Sequence, residues 1–323
     1  MEKNESQTYI LKKIGVEDRY TLDEWKDIYS PYLQALTELP EEPYNDPDAK
    51  ESWNKWFYDD LSKFLNERED KLGCDEKWKY RLNKSELGYV IDVIDENDEF
   101  FTTLKSDQFG FSRPTPDSNH PYDIYLSKNM DNRENAINQV CEWIYYSRTI
   151  GGSFLWPKEI YYKNRSEGGY NPSRGGTILS NESHYIEDRV DITLLEIFLY
   201  YYREEHTDYW EKTILYRFVE KNKDISTRWF DRFGSFENYV KFFRFDSFVG
   251  KDENNKCVPK SIINGKLLSV NSRSKENGRL MIGEGNAYNN INEEMFERLI
   301  TWIKDRSWNI ENQSDMYEKY FEK

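Results

Sequence analysis

The chain has 323 residues and a formal charge of −15, from 45 Lys+Arg against 60 Asp+Glu. Its 10 Trp, 25 Tyr and 18 Phe are too many rings for a disordered acidic chain, because disorder goes with too little apolar area to bury. The apolar run at its middle, Ile197 to Tyr202, is far short of the roughly 18 to 20 residues a membrane span needs, so no membrane association is expected.

The N-terminus, Met1-Glu2-Lys3-Asn4-Glu5, carries no apolar h-region and no Met-Gly start, which predicts neither secretion nor myristoylation. Three cysteines, Cys74, Cys141 and Cys257, lie far apart and make neither a disulfide framework nor a CxxC clip. The expected compartment is the cytoplasm. Residues 1–100 carry a net charge of −12, whereas residues 212–279 carry +7. The acidity is therefore a local property, and pI alone does not exclude an anionic ligand.

Thr21-Leu22-Asp23-Glu24 is a capping box before Trp25, Ile28 and Tyr29. Asp46-Pro47 offers a second start. Trp53, Trp56, Phe57, Leu61, Phe64 and Leu65 then recur at helical spacing, which predicts an amphipathic helix capped by Gly73. Its outer face carries Asp59, Asp60, Glu67, Glu69 and Asp70. These acids read either as a solvated face or as a docking surface for a basic partner. Gly88 to Ile94 is β-branched and short, so it predicts a strand, with a turn at Glu96-Asn97-Asp98 and a hairpin partner over Phe100 to Leu104.

Ile137, Val140, Cys141, Ile144 and Tyr145 make one helix face that Gly151-Gly152 ends, and Phe154-Leu155-Trp156-Pro157 is a brief extended piece. Residues 163–180 are rich in Gly, Ser and Asn, the composition of a loop. Val190 to Tyr202 is apolar nearly all round, which predicts a buried central helix. Aromatic helices follow over Leu215–Val219, Trp229–Phe233 and Phe236–Phe248, the last capped by Ser235. Leu280-Met281-Ile282 is a short strand, and a final helix starts at Asn292. Together these predict a mainly α fold with α+β character, a compact helical domain with a few short strands. It forms one domain over 1–323, with an acidic helical subregion over 1–85 and a core over 105–323.

Familiar catalytic motifs do not occur. The chain has no GxxxxGK[ST] loop, no GxGxxG, no HExxH and no GxSxG. With only three histidines at no ligand spacing, zinc is not expected, whereas magnesium needs only carboxylates and stays open. The chemistry-bearing stretch is residues 143–196. Arg148 stands before Gly151 and Gly152, Arg174 before Gly175 and Gly176, and Arg189 within Asp188-Arg189-Val190-Asp191. Gly-Gly turns permit anion-binding concavities, and guanidinium forks grip phosphate or carboxylate. The same arginines can instead pair with Glu187, Asp188 or Glu159 and pin loops to the core. His184, Glu187, Asp188 and Asp191 are the candidate acids, bases or metal ligands. The basic segment 212–279 interleaves charge with rings, as in Arg228-Trp229-Phe230-Asp231-Arg232-Phe233. That is the composition of a single-strand stacking surface and equally of a helical core face.

The order Arg113-Pro114, Arg148-Thr149-Ile150-Gly151-Gly152, Trp156-Pro157, Ser173-Arg174-Gly175-Gly176, Asp188-Arg189-Val190-Asp191-Ile192-Thr193-Leu194 resembles that of a family of bacterial proteins with no established activity. Phe233-Gly234-Ser235-Phe236 and Phe242 to Val249 extend the likeness, which covers roughly residues 105–250. Its members are scattered among bacterial accessory genes, which implies phage conflict by association alone, and the resemblance supplies no catalytic residues. The expected function is therefore a cytoplasmic accessory protein that binds a nucleotide or other phosphate-bearing ligand through the Arg–Gly stretch. Its chemistry stays open between phosphodiester hydrolysis and nucleotidyl or ADP-ribosyl transfer. Two alternatives stand beside it. One is a protein-interaction module using the acidic N-terminal face, and the other is a nucleic-acid binder through residues 212–279.

Overall fold

A computed structural model describes residues 55–85, 88–108, 150–157, 190–270, 273–276, 279–282 and 292–311, together with 135, 136, 139, 142 and 146. Helix α1 spans Lys55–Glu69. It buries Leu61, Phe64 and Leu65, the residues its apolar spacing selects. Beyond it, Gly73 takes a left-handed φ of +68°, which glycine adopts without a Cβ penalty.

The next three strands are β1 (Lys79–Ser85), β2 (Gly88–Ile94) and β3 (Phe100–Gln108). They form an antiparallel meander, and β4 (Ser153–Pro157) closes the sheet in the order β1-β2-β3-β4. Its register sets Leu104 against Pro157 and Gln108 against Ser153. Strand β1 alternates exposed Lys79, Arg81 and Asn83 with buried Tyr80 and half-buried Leu82, as a strand with one wet face must. Asn66 of α1 accepts a hydrogen bond from the Tyr80 N–H at 2.9 Å and donates to the Tyr80 carbonyl at 2.8 Å. A side-chain amide thus stands in for a neighbouring strand and blocks this edge. Strand β4, in contrast, is buried along its whole length.

The helical part begins with α2 (Val190–Tyr201), buried from Val190 to Tyr200. The short α3 (Thr207–Trp210), α4 (Ile214–Lys221) and α5 (Lys223–Asp231) follow. Helix α6 (Phe236–Phe243) starts where the Ser235 hydroxyl accepts from the Asn238 N–H, and it ends at Arg244 in the left-handed region. Phe230, Phe233, Tyr239 and Phe243 pack ring on ring between α5 and α6, with centroids 4.7 to 6.2 Å apart. A two-stranded pair, β5 (Val249–Lys251) with β6 (Cys257–Pro259), and a second, β7 (Arg273–Glu276) with β8 (Arg279–Ile282), are both antiparallel. Helix α7 (Glu293–Glu311) starts under Asn292, whose side chain accepts from the Met295 N–H at 2.9 Å. Its Phe296, Leu299, Ile300, Ile303 and Ile310 are buried.

The prediction of a mainly α domain with a few short strands is overturned. The fold is a mixed α/β one, with a four-stranded antiparallel sheet and two further strand pairs. Strand β1, Lys-Tyr-Arg-Leu-Asn-Lys-Ser, offers only two inward apolar side chains, so it carries no strand signal of its own. The β3–β4 pairing joins segments some fifty residues apart in sequence, beyond the reach of local patterning. No described helix is long and apolar enough to cross a membrane.

Candidate functional site

Of the residues singled out in the sequence, Gly151, Gly152 and Asp191 are described. Arg148, Arg174, Gly175, Gly176, His184, Glu187, Asp188 and Arg189 lie outside the described residues. Ile150–Gly152 forms a buried 3-10 turn packed against α7. The Gly151 N–H donates to the Ser307 hydroxyl at 3.0 Å. A Cβ at Gly151 would overlap Ser307 and the carbonyl of Ile303. The glycine is therefore required by close approach of a helix. Gly151→Ala is expected to cost about 3 kcal/mol in urea unfolding through overpacking, and a loss under about 1 kcal/mol would show that α7 shifts freely.

Asp191 is fully buried at the start of α2. One carboxylate oxygen accepts from the Ile192 N–H and the other from the Ile262 N–H, both at 3.0 Å. It ties α2 to the segment after β6, so both its oxygens have main-chain partners. In the basic segment, Trp229, Phe230, Phe233, Phe236, Phe242, Phe243 and Phe245 are all buried at 0 to 2% exposure. No face of these rings is open to a stacked base. Glu69, expected on the outer face of α1, is buried instead. Among the described residues no group of three or more His, Cys, Asp and Glu side chains is placed to hold a metal ion.

The structure opens elsewhere. A cleft of about 410 Å³ runs between the segment after α1 and helix α5, lined by Gly73, Cys74, Asp75, Glu76, Trp78, Arg228, Asp231 and Arg232. That volume lies within the range of small-ligand and side-chain pockets. The left-handed Gly73 turns the chain back from α1 into one wall. Helical spacing sets Arg228, Asp231 and Arg232 on one face of α5 as the other.

At the back of the cleft Glu69 and Arg232 form a buried ion pair, their side chains 3% and 4% exposed. Glu69 also accepts from the Trp78 N–H and the Tyr80 hydroxyl, each at 3.0 Å. Such a carboxylate has its lone pairs filled, which a buried charge requires. Arg232 lies over the Trp78 ring, 4.0 Å from its centroid, and donates to the Glu76 carbonyl at 2.8 Å. At the mouth Arg228 bonds Glu76 at 3.0 Å. Its guanidinium stands 4.3 Å from the Phe101 ring centroid and 5.7 Å from that of Trp78.

The lining thus has three carboxylates and two guanidinium groups, and Glu69 and Glu76 engage both arginines. Asp231 accepts from the Tyr200 hydroxyl at 2.9 Å, with Arg203 at 3.9 Å. Asp75 is exposed. Cys74 donates its S–H to the Arg232 carbonyl at 3.3 Å. Burial, followed by the charges of Asp75 and Glu76, pushes its thiol above the ordinary value. The thiol is therefore held protonated, which disfavours a nucleophilic role.

None of these lining residues was singled out as a site in the sequence. Arg228, Asp231 and Arg232 were read as part of a basic, ring-interleaved segment, either a nucleic-acid stacking surface or a helical core face, and not as the wall of a cleft. The opposite wall lies some 150 positions earlier, and no local signal links the two.

Fold and cleft define a mixed α/β protein with a charged surface groove between the segment that follows α1 and helix α5. Residues 128–270 match the model of a family described as a family of unknown function, DUF6994. The match covers less than half of the chain, overlaps the likeness read over roughly residues 105–250, and is consistent with an uncharacterised family. It includes the α5 wall of the cleft and excludes the Gly73–Trp78 wall. No curated protein and no solved structure matches the chain.

Proposed function

We propose that the chain is a protein-interaction module whose cleft receives a cationic side chain of a partner. The observation that supports this is the charge balance of the cleft. Both of its arginines already have carboxylate partners, Asp231 is shared with Arg203 at 3.9 Å, and the exposed Asp75 adds negative charge at the rim. A basic group entering there gains Coulomb energy in a partly screened site, whereas a phosphate meets like charge. The phosphate-binding reading rests on Arg148, Arg174 and Arg189, and the described residues add no support to it, because the Gly151 N–H and both Asp191 oxygens have partners within the fold.

The test is calorimetric titration of the full chain with an acetylated tetra-arginine amide. Asp75→Lys is expected to weaken binding by about tenfold, the equivalent of about 1.4 kcal/mol. Glu253→Lys, on the exposed turn after β5 and outside the cleft lining, is expected to leave it nearly unchanged. Equal responses of the two variants would reduce the effect to bulk charge and overturn the proposal. Binding of inorganic phosphate or ADP by the wild-type chain, abolished by Arg174→Ala, would establish the Arg–Gly reading in its place.

A further inference from the structure

We infer that the mouth of this cleft is a guanidinium slot, filled by the chain's own Arg228, and that a partner's arginine enters by taking its place. The inference rests on the reading that the partner brings a cation to the cleft. It goes beyond it in naming the group and what it must displace.

The slot has the parts that arginine recognition uses. The Arg228 guanidinium lies against Phe101, 4.3 Å from its ring centroid, with the Trp78 ring on the same side at 5.7 Å. A carboxylate, Glu76, lies at its edge at 3.0 Å. That carboxylate is itself held, because the Trp78 indole N–H donates to the same oxygen at 3.3 Å. Phe101 and Trp78 contact each other, with centroids 4.5 Å apart, and Trp78 in turn stacks on the buried Trp229 at 6.3 Å. The aromatic surface under the guanidinium is thus anchored in the core through Trp78, while the occupant is not.

The two arginines of the cleft differ in this respect. Arg232 is sealed, with its side chain 4% exposed in the ion pair with Glu69. Arg228 and Glu76 are 50% and 49% exposed, and an ion pair that open to water holds weakly. A competing guanidinium can therefore displace Arg228 at little cost. A lysine ammonium is a compact, strongly hydrated charge with no planar face to lay on the Phe101 ring, so it gains less from the same slot.

The experiment compares Arg228→Ala with the wild-type chain, using acetylated tetra-arginine and tetra-lysine amides as probes at fixed ionic strength. Emptying the slot is expected to tighten tetra-arginine binding by about tenfold and tetra-lysine binding distinctly less. Adding Phe101→Ala to the Arg228→Ala chain is expected to remove the arginine-specific gain. Thermal melts of both variants check that the fold survives, and Arg228→Gln, which keeps most of the side chain's bulk, serves if the alanine variant melts early. Unchanged or weaker tetra-arginine binding, or an equal gain for the two peptides, overturns the slot. Those results would leave the cationic-partner reading standing, which fails only if Asp75→Lys has no selective effect.

Discussion

Replacing Arg306 with methionine is expected to lower the unfolding free energy by about 4 kcal/mol, the cost of leaving buried main-chain carbonyls without a donor. Arg306 projects from α7 into the core and is 3% exposed. Its Nε donates to the Phe243 carbonyl at 2.8 Å, and one terminal nitrogen donates to the carbonyls of Gly151 and Ser153 at 2.7 and 2.8 Å. The first of these carbonyls belongs to the last turn of α6, where helical geometry leaves carbonyls without partners and the helix dipole favours a cation. The other two belong to the turn that leads into β4 and to its first residue. One guanidinium therefore joins α7, α6 and the buried edge strand β4, and its carbon lies 4.1 Å from the Phe245 ring centroid. Burial pulls its pKa down to about 9, so the group is still charged at neutral pH. Methionine fills the volume but donates nothing. Denaturant unfolding followed by circular dichroism should show a lower midpoint at an unchanged slope, and melting should fall by about 10 °C. Lysine, with a single point of donation, is expected to recover only a minor part. A loss under about 1 kcal/mol for methionine would mean that those carbonyls find other donors.

Breaking the Glu69–Arg232 pair from one side is the second large effect. Glu69→Gln keeps the shape and leaves a guanidinium buried without its counter-charge, at an expected cost of about 3 kcal/mol. Arg232→Met is expected to cost a similar amount, because Glu69 then keeps only its bonds from Trp78 and Tyr80. The double replacement Glu69→Leu with Arg232→Met should cost much less than the two single effects together, since it removes both charges and leaves apolar volume. Additive losses in that cycle would show that the two side chains act independently. The pair also bears on the cleft. With Glu69 neutralised, Arg232 adds an uncompensated positive charge behind Trp78, and the tetra-arginine probe should bind more weakly to a chain that is still folded at the temperature of the titration.

The local part of the fold was legible because it is written in short-range periods. The strand over Gly88–Ile94, the α2 helix from Val190, the Ser235 cap and the Asn292 start all follow from apolar spacing and capping chemistry within a few residues. Strand β1 was not legible, because charge fills its wet face and Asn66 of a neighbouring helix supplies the partner its edge lacks. Gly151 shows the converse. The sequence marks it as special, but flexibility for an anion-binding turn and room for an approaching helix call for the same residue, and only the position of Ser307 and Ile303 tells them apart.

The sequence by itself determined that the chain folds, that its rings form the core, and that its negative charge is concentrated toward one end while residues 212–279 are basic. These are sums and periods over neighbouring residues, and no pairing of distant segments alters them. The tertiary structure alone decided which charges face each other. Glu69 lies on a helix whose spacing puts it among solvated acids, yet it is buried because Arg232 stands opposite, 163 positions along the chain. Whether a charge is exposed, paired or lining a cleft depends on what the fold brings within a few ångströms of it, and the Coulomb and desolvation energies that settle its role are set at that distance.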